Sequence, residues 1–166
     1  MQRIAKFEKV SFDEFRKSFD LPENEIKEIY DNIKIPVRAT EGSAGYDFST
    51  PVDFELKAGE TVKIPTGIRA RIDNGWVLAV FPRSGLGFKF RLQLDNTVGI
   101  IDADYYNSDN EGHIFIKVTN CSFEDKTVSV KAGNGFAQGI FLPFGITEDD
   151  NVTDIRNGGF GSTDKK

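Results

Sequence analysis

The spacing of hydrophobic and polar positions changes at about Ile35. Beyond it, apolar residues recur at every second position. Val62 and Ile64 flank Lys63; Ile68, Ala70 and Ile72 alternate with Arg69 and Arg71. Ile114, Ile116 and Val118 alternate with Phe115 and Lys117, and Val128 and Val130 sit inside KTVSVK. A period of two sends successive side chains to opposite faces, so each stretch predicts a strand with one face inward. GWVLAVF, residues 75–81, is apolar on both faces and predicts a strand that is central or pressed against another subunit. Short strands at close spacing, punctuated by 16 glycines and six prolines, predict an all-β antiparallel sandwich or barrel. The absence of a βαβ rhythm argues against a doubly wound nucleotide fold.

Residues 1–34 follow another pattern. RIAKFEKV predicts a short strand, and Ser11 followed by Glu14 has capping-box spacing for a helix through about Phe19. Pro22 opens a second predicted helix, about Glu23 to Asn32, with Ile26, Ile29 and Tyr30 on one face. The expected organisation is a single domain, 1–166. It comprises an N-terminal appendage with short helices (1–34), a β core (35–145) and a mobile C-terminal arm (146–166). The arm ends in RNGGFGSTDKK, which has neither period. It reads as a disordered tail with an incidental aromatic, or as a segment that orders on a ligand needing an aromatic face, N–H donors and a guanidinium together.

A length of 166 residues suffices for a substantial core without covalent staples. One cysteine, Cys121, excludes an intrachain disulfide framework and any multi-cysteine metal site. No apolar run approaches a membrane span and MQRIAKFEKV lacks a secretory apolar stretch, so a soluble cytoplasmic protein is expected. The net charge of −5 is spread without basic runs, which argues against direct nucleic-acid binding. A small anionic ligand stays open, because a few local donors or a bound cation outweigh so modest a field.

Four internal stretches break the alternation. SAGYDFS, residues 43–49, carries Asp47 after Ala44-Gly45. FPRSGLG, residues 81–87, presents Arg83 and Ser84 between a proline and Gly85, a turn able to offer N–H groups, a hydroxyl and a guanidinium to one anion, though also an ordinary loop. In LDNTVGIIDADYY, residues 94–106, Asp102 and Asp104 would share a face if the strand continues, with Tyr105 opposite. Such a pair needs a cation, water or arginine, unless it is a solvated edge. GNGFAQGIFLPF, residues 133–144, sets Gln138 in an apolar run as a structural bridge or a ligand contact. His113, the only histidine, lies opposite the apolar face of its strand and reads as a surface residue. There is no Walker loop, and Ser84 has no His-Asp relay. Asp47, Asp102 and Asp104 suit a hard divalent cation and phosphate chemistry better than zinc.

Taken in order, AGYDFS, PRSGLG, GIIDADYY, GFAQGIF and NGGFGST resemble the five motifs of trimeric dUTPases, phage-encoded members included, from about Ile35 to Thr163. The resemblance implies a jelly-roll-like β-barrel, a homotrimer with sites shared between subunits, Mg2+, and hydrolysis of dUTP to dUMP and pyrophosphate. It implies that Asp102 activates the water attacking the α-phosphorus. Tyr105 would lie beneath the deoxyribose, and Asn96, in a hairpin with Gly99, would read uracil. Asp47 would support the metal through its water shell, while Arg83, Ser84, Gly85 and Gln138 contact the phosphates, with Gln138 counted beside the two aspartates in the catalytic group. In the arm, Phe160 would cover uracil, and Arg156, Gly161, Ser162 and Thr163 would reach the phosphates. Pyrophosphate is already a good leaving group, so these roles amount to aligning a water, neutralising oxygens and excluding solvent.

Three departures stand out. Gly135 occupies a place where the family commonly has arginine, a single Asn157 separates Arg156 from the paired glycines, and NSDNEG, residues 107–112, lengthens the connection after the third motif. This insertion and residues 1–34 read as structural capping or trimer surface, or as the contact of a regulatory protein partner. Two rivals remain: a dCTP deaminase of the same fold, and a nucleotide-gated protein ligand.

Overall fold

The computed structural model describes residues 2–154. The strands are β1 (Ala5–Lys9), β2 (Val37–Arg38), β3 (Tyr46–Ser49), β4 (Phe54–Leu56), β5 (Thr61–Pro65) and β6 (Ile68–Ile72), then β7 (Trp76–Pro82), β8 (Leu92–Leu94), β9 (Gly99–Ile101), β10 (Phe115–Asn120), β11 (Val128–Val130) and β12 (Gly135–Pro143). The helices are α1 (Phe12–Arg16), α2 (Glu23–Asp31) and α3 (Ser84–Phe90), with a 3-10 turn at Ala103–Asn107.

Every pairing is antiparallel. One sheet runs β2-β3-β12-β7-β9, a second β5-β10-β8, and two-stranded ribbons pair β1 with β6 and β4 with β11. The sheets are open rather than closed by continuous hydrogen bonding, so the barrel expectation holds as an antiparallel all-β fold and not as a closed ring of strands. Phe48, Leu78 and Phe136 from the first sheet share a core with Ile64, Leu92 and Val118 from the second. The period of two is the cause: in β6, Ile68, Ala70 and Ile72 are buried, whereas Arg71 is exposed. The doubly apolar stretch becomes β7, flanked by β12 and β9, with Leu78, Ala79 and Val80 all buried.

The N-terminal residues are woven into this core. β1 pairs with β6 from Ala5↔Ile72 to Lys9↔Ile68. The Ser11 hydroxyl caps α1 by accepting the Glu14 N–H at 3.1 Å. The helix is shorter than its capping signal suggests, ending at Arg16 with turn bonds continuing to Phe19. Phe15 is fully buried, which contributes roughly 2–3 kcal/mol, and Ile26, Ile29 and Tyr30 of α2 face the same core.

His113 corrects the surface reading: it is 0 % exposed. Alternation does turn it from the face of Ile114, but α1 covers that second face. The imidazole packs on Phe115 at 4.2 Å between ring centres and on Phe15 at 6.2 Å. Its Nε2 accepts the Gly67 N–H at 2.9 Å, and burial pushes its pKa down to about 4.

Candidate active site

A cavity of about 310 Å³ opens between β9 and β10. Asn96, Gly99, Asp102 and Tyr105 line it, with Val80 and Ile116 among its apolar walls. Asn96 stands in a tight turn joining β8 to β9. Thr97 there has φ 66°, and the Thr97 N–H donates to Leu94 O at 2.9 Å. Because β8 pairs with β10 and β9 with β7, this turn ties the two larger sheets together at the cavity mouth. Gly99 fits close against β7: a Cβ there would come 3.2 Å from Val80 Cβ.

The strand does not continue through Asp102. The backbone turns there into the 3-10 segment, so Asp102 lines the cavity while Asp104 is exposed, and the two do not share a strand face. Tyr105 consequently joins Asp102 at the cavity instead of pointing away from it. It is buried, and its hydroxyl donates to His113 O at 2.8 Å.

A second constellation forms where β7, β12 and β3 lie side by side. Gln138 stands opposite Asp47 on one side and Phe81 on the other. Half-exposed rather than buried, Gln138 donates from Nε2 to Pro82 O at 3.2 Å. Gly45 leaves room for it, since a Cβ at that glycine would come 2.7 Å from Gln138 Oε1. Arg83 places Nε 3.4 Å from Asp47 Oδ1 and donates from Nη1 to Gly135 O at 3.2 Å. Ser84 and Gly85 open α3, so PRSGLG is a strand end running into a short helix and not a loop. Asp47, Arg83, Ser84 and Gln138 are absent from the lining of the cavity that holds Asp102. Arg156, Phe160, Gly161, Ser162 and Thr163 lie outside the described residues.

With this geometry, the chain matches the dUTPase family over residues 31–164. The chain belongs to the dUTPase family. It is 44% identical over 134 residues to the deoxyuridine 5'-triphosphate nucleotidohydrolase of Lactococcus lactis subsp. lactis, covering 79% of this chain and 88% of that protein. Among solved structures, the dUTPase from Streptococcus mutans aligns with a TM-score of 0.65 at 36% identity, covering 86% of this chain and 98% of that one. A mutant dUTPase from phage phi11 of S. aureus, described as coordinating a structural Mg(II) ion, shares the fold at 20% identity and TM-score 0.65, over 92% of this chain and 98% of that one. The activity is dUTP diphosphatase, hydrolysis of dUTP, and the deaminase alternative is not favoured.

Two cavity residues of this dUTPase escaped the sequence reading. Lys117 Nζ lies 2.8 Å from Asp95 Oδ2, and both line the cavity. Hydrogen bonds from Lys117 and then Thr119 hold the Asp95 carboxyl below its ordinary value. The alternation of β10 marks Lys117 only as outward-facing. Among the described residues no group of three His, Cys, Asp or Glu side chains is gathered in the manner of a protein-only metal site. No helix of the described residues is long and apolar enough to cross a membrane.

Proposed function

We propose that this dUTPase attacks the α-phosphorus of dUTP with a water oriented and deprotonated by Asp102, releasing dUMP and pyrophosphate. The observation that carries this reading is the meeting of Asp102, Tyr105, Asn96 and Gly99 around one cavity. Asn96 and the neighbouring backbone read the uracil edge, and the narrow turn with Gly99 leaves no space for a 5-methyl group. Tyr105 forms the floor beneath the deoxyribose and excludes a 2′-hydroxyl. A methyl group is worth only about 1–3 kcal/mol in an adaptable pocket, so the discrimination needs a rigid wall.

Arg83, Ser84, Gly85 and Gln138 hold the triphosphate, with Ser84 near the oxygen bridging the α and β phosphates. That they line a different part of the chain from the Asp102 cavity supports a homotrimer in which one subunit's Arg83 group faces the next subunit's Asp102. The arm supplies Phe160 over the base, and Arg156, Gly161, Ser162 and Thr163 to the phosphates.

Asp47 is an all-oxygen donor of the class magnesium prefers, and a single carboxylate fits an ion that takes its other ligands from phosphate and water. Asp47 would hold Mg2+ through its water shell. When bound, the ion would supply positive charge to phosphate oxygens that this acidic chain otherwise meets with Arg83 and Arg156.

Hydrolysis of dUTP in 18O-water tests the reading. Attack at the α-phosphorus puts one labelled oxygen into dUMP, and Asp102→Asn should lower turnover by about 10²–10⁴-fold while nucleotide binding survives. Label in pyrophosphate, or parental turnover by the variant, would overturn it.

A further inference from the structure

The insertion 107–112 turns inward onto Tyr105. The Asn110 side chain donates from Nδ2 to the Tyr105 hydroxyl at 2.8 Å and accepts the Gly112 N–H on Oδ1 at 3.2 Å, which fixes the amide's orientation. Since the same hydroxyl donates to His113 O, it gives one hydrogen bond and receives one. The Ser108 N–H and hydroxyl both donate to Tyr105 O, at 3.0 and 2.5 Å. Tyr105 is therefore gripped by the insertion at its backbone and at the tip of its ring.

The insertion is itself fastened to the N-terminal segment. Glu111 accepts the Ser11 N–H at 2.7 Å and the Ser11 hydroxyl at 2.6 Å. Burial pushes the Glu111 carboxyl up, but those bonds, with Arg69 and Lys17 nearby, leave it below its ordinary value. One residue beyond Tyr105, the Tyr106 hydroxyl donates to Glu8 of β1 at 2.5 Å while the Arg69 guanidinium lies 3.5 Å from the centre of its ring. Gly112, at φ +71°, closes the loop so tightly that a Cβ would come 2.7 Å from Tyr106 Cα and 2.8 Å from Tyr105 O.

We infer that the insertion, anchored by Glu111 to Ser11, is a brace that fixes the sugar floor, with Asn110 a positioning residue that sets discrimination between deoxyribose and ribose through the Tyr105 hydroxyl. This rests on the assignment of Tyr105 to the sugar. It gives residues 8–11 and 107–112 a common purpose within the enzyme. A hydroxyl excluded by sterics alone demands a ring that cannot retreat, and a ring held at one point can tilt.

The test is the ratio of kcat/KM for dUTP to that for UTP in the full chain carrying Asn110→Ala, Tyr105→Phe, both together, or Tyr105→Ala, with thermal melting as the control for folding. Asn110→Ala and Tyr105→Phe should each lower the ratio by roughly tenfold, the scale of one buried hydrogen bond with a partner left unmatched. The double variant should fall well short of the product of the two single losses, because both remove the Asn110–Tyr105 bond, while only Tyr105→Phe also loses the bond to His113 O and only Asn110→Ala the one from the Gly112 N–H. Tyr105→Phe keeps the ring and so carries the test even if Asn110→Ala unfolds. An unchanged ratio in Tyr105→Phe, or additive losses in the double variant, overturns the brace. If Tyr105→Ala collapses the ratio while Asn110→Ala leaves it intact, only the brace fails. If Tyr105→Ala itself leaves the ratio intact, the sugar-floor assignment fails with it.

Discussion

Arg83 occupies the space that a side chain on Gly135 would need. A Cβ there would lie 2.7 Å from Arg83 Nη1, 3.2 Å from Cδ and 3.3 Å from Cζ. The guanidinium rests on this bare backbone, donating to Gly135 O and reaching Asp47. Gly135 thus serves as the bare shelf on which the Arg83 guanidinium is seated.

Gly135→Ala should therefore dislodge Arg83 and act on substrate binding. The colliding atoms belong to a flexible side chain, so the loss of stability should stay below about 1 kcal/mol. KM for dUTP should rise several-fold with a smaller change in kcat, if the phosphates bind there in ground and transition states alike. Steady-state kinetics alongside a melting curve decides this, and an unchanged KM would disconnect the Arg83 shelf from the substrate.

If Asp102 and Arg83 serve one site from different subunits, inactive chains should rescue each other. Asp102→Asn and Arg83→Ala proteins, unfolded together and reassembled, should form mixed trimers. Random mixing gives each site an intact Asp102 and an intact Arg83 in about a quarter of cases. Recovery of dUTP turnover to about that fraction is the expected result, whereas no recovery above either variant alone would place both residues in one chain's site.

Gly67 should be among the least replaceable positions for stability. It has φ +69°, and a Cβ would fall 2.3 Å from Ile33 Cδ1 and 3.2 Å from the Phe15 ring. Its N–H is also the donor to His113. Left-handed backbone costs an alanine roughly 1–2 kcal/mol before any clash, so Gly67→Ala should destabilise by about 2–4 kcal/mol in denaturant titration. A loss under half a kcal/mol would mean that the N-terminal helices shift freely over the core.

How much of this was readable beforehand differs by element. β6, β10 and β11 follow from alternation, because one buried face leaves a period of two in the residue types. β7 follows from its doubly apolar run. The turn of the chain at Asp102 does not, since GIIDADYY carries no glycine or proline at the bend and reads equally as continuing strand. The meeting of Asn96, Asp102 and Tyr105 depends on two sheets joined by the turn at 95–98, a long-range fact that local pattern cannot hold. Glu111 binding Ser11, a hundred residues earlier in the chain, is of the same kind. His113 is of this kind too, because alternation reports which face a residue takes, not whether a helix elsewhere in the chain covers that face.

That burial gives His113 a measurable signature in acid. The ring is enclosed by Phe15 and Phe115, and Glu14 Oε1 lies 4.0 Å from Nδ1, beyond hydrogen-bond reach and already held by Lys17. Burial lowers its pKa most; Glu111 opposes this, Lys63 adds to it, and the result is about 4 against an ordinary 6.5. The unfolded chain thus takes up a proton near pH 6.5 that the folded chain refuses until about pH 4. Stability is full above the higher value and falls as pH drops through that window, by about 1 kcal/mol per pH unit and about 3 kcal/mol in all. The lowered carboxyls of Glu8, Asp53, Asp95, Glu111 and Asp149 begin to matter only below about pH 5, so the interval from pH 6.5 to 5 belongs to His113. Urea titrations across that interval should show the slope, and His113→Gln, which keeps an acceptor for Gly67 but cannot titrate, should flatten it. Equal slopes in both proteins would mean that the folded chain admits the proton after all, with Glu14 swinging in to meet it.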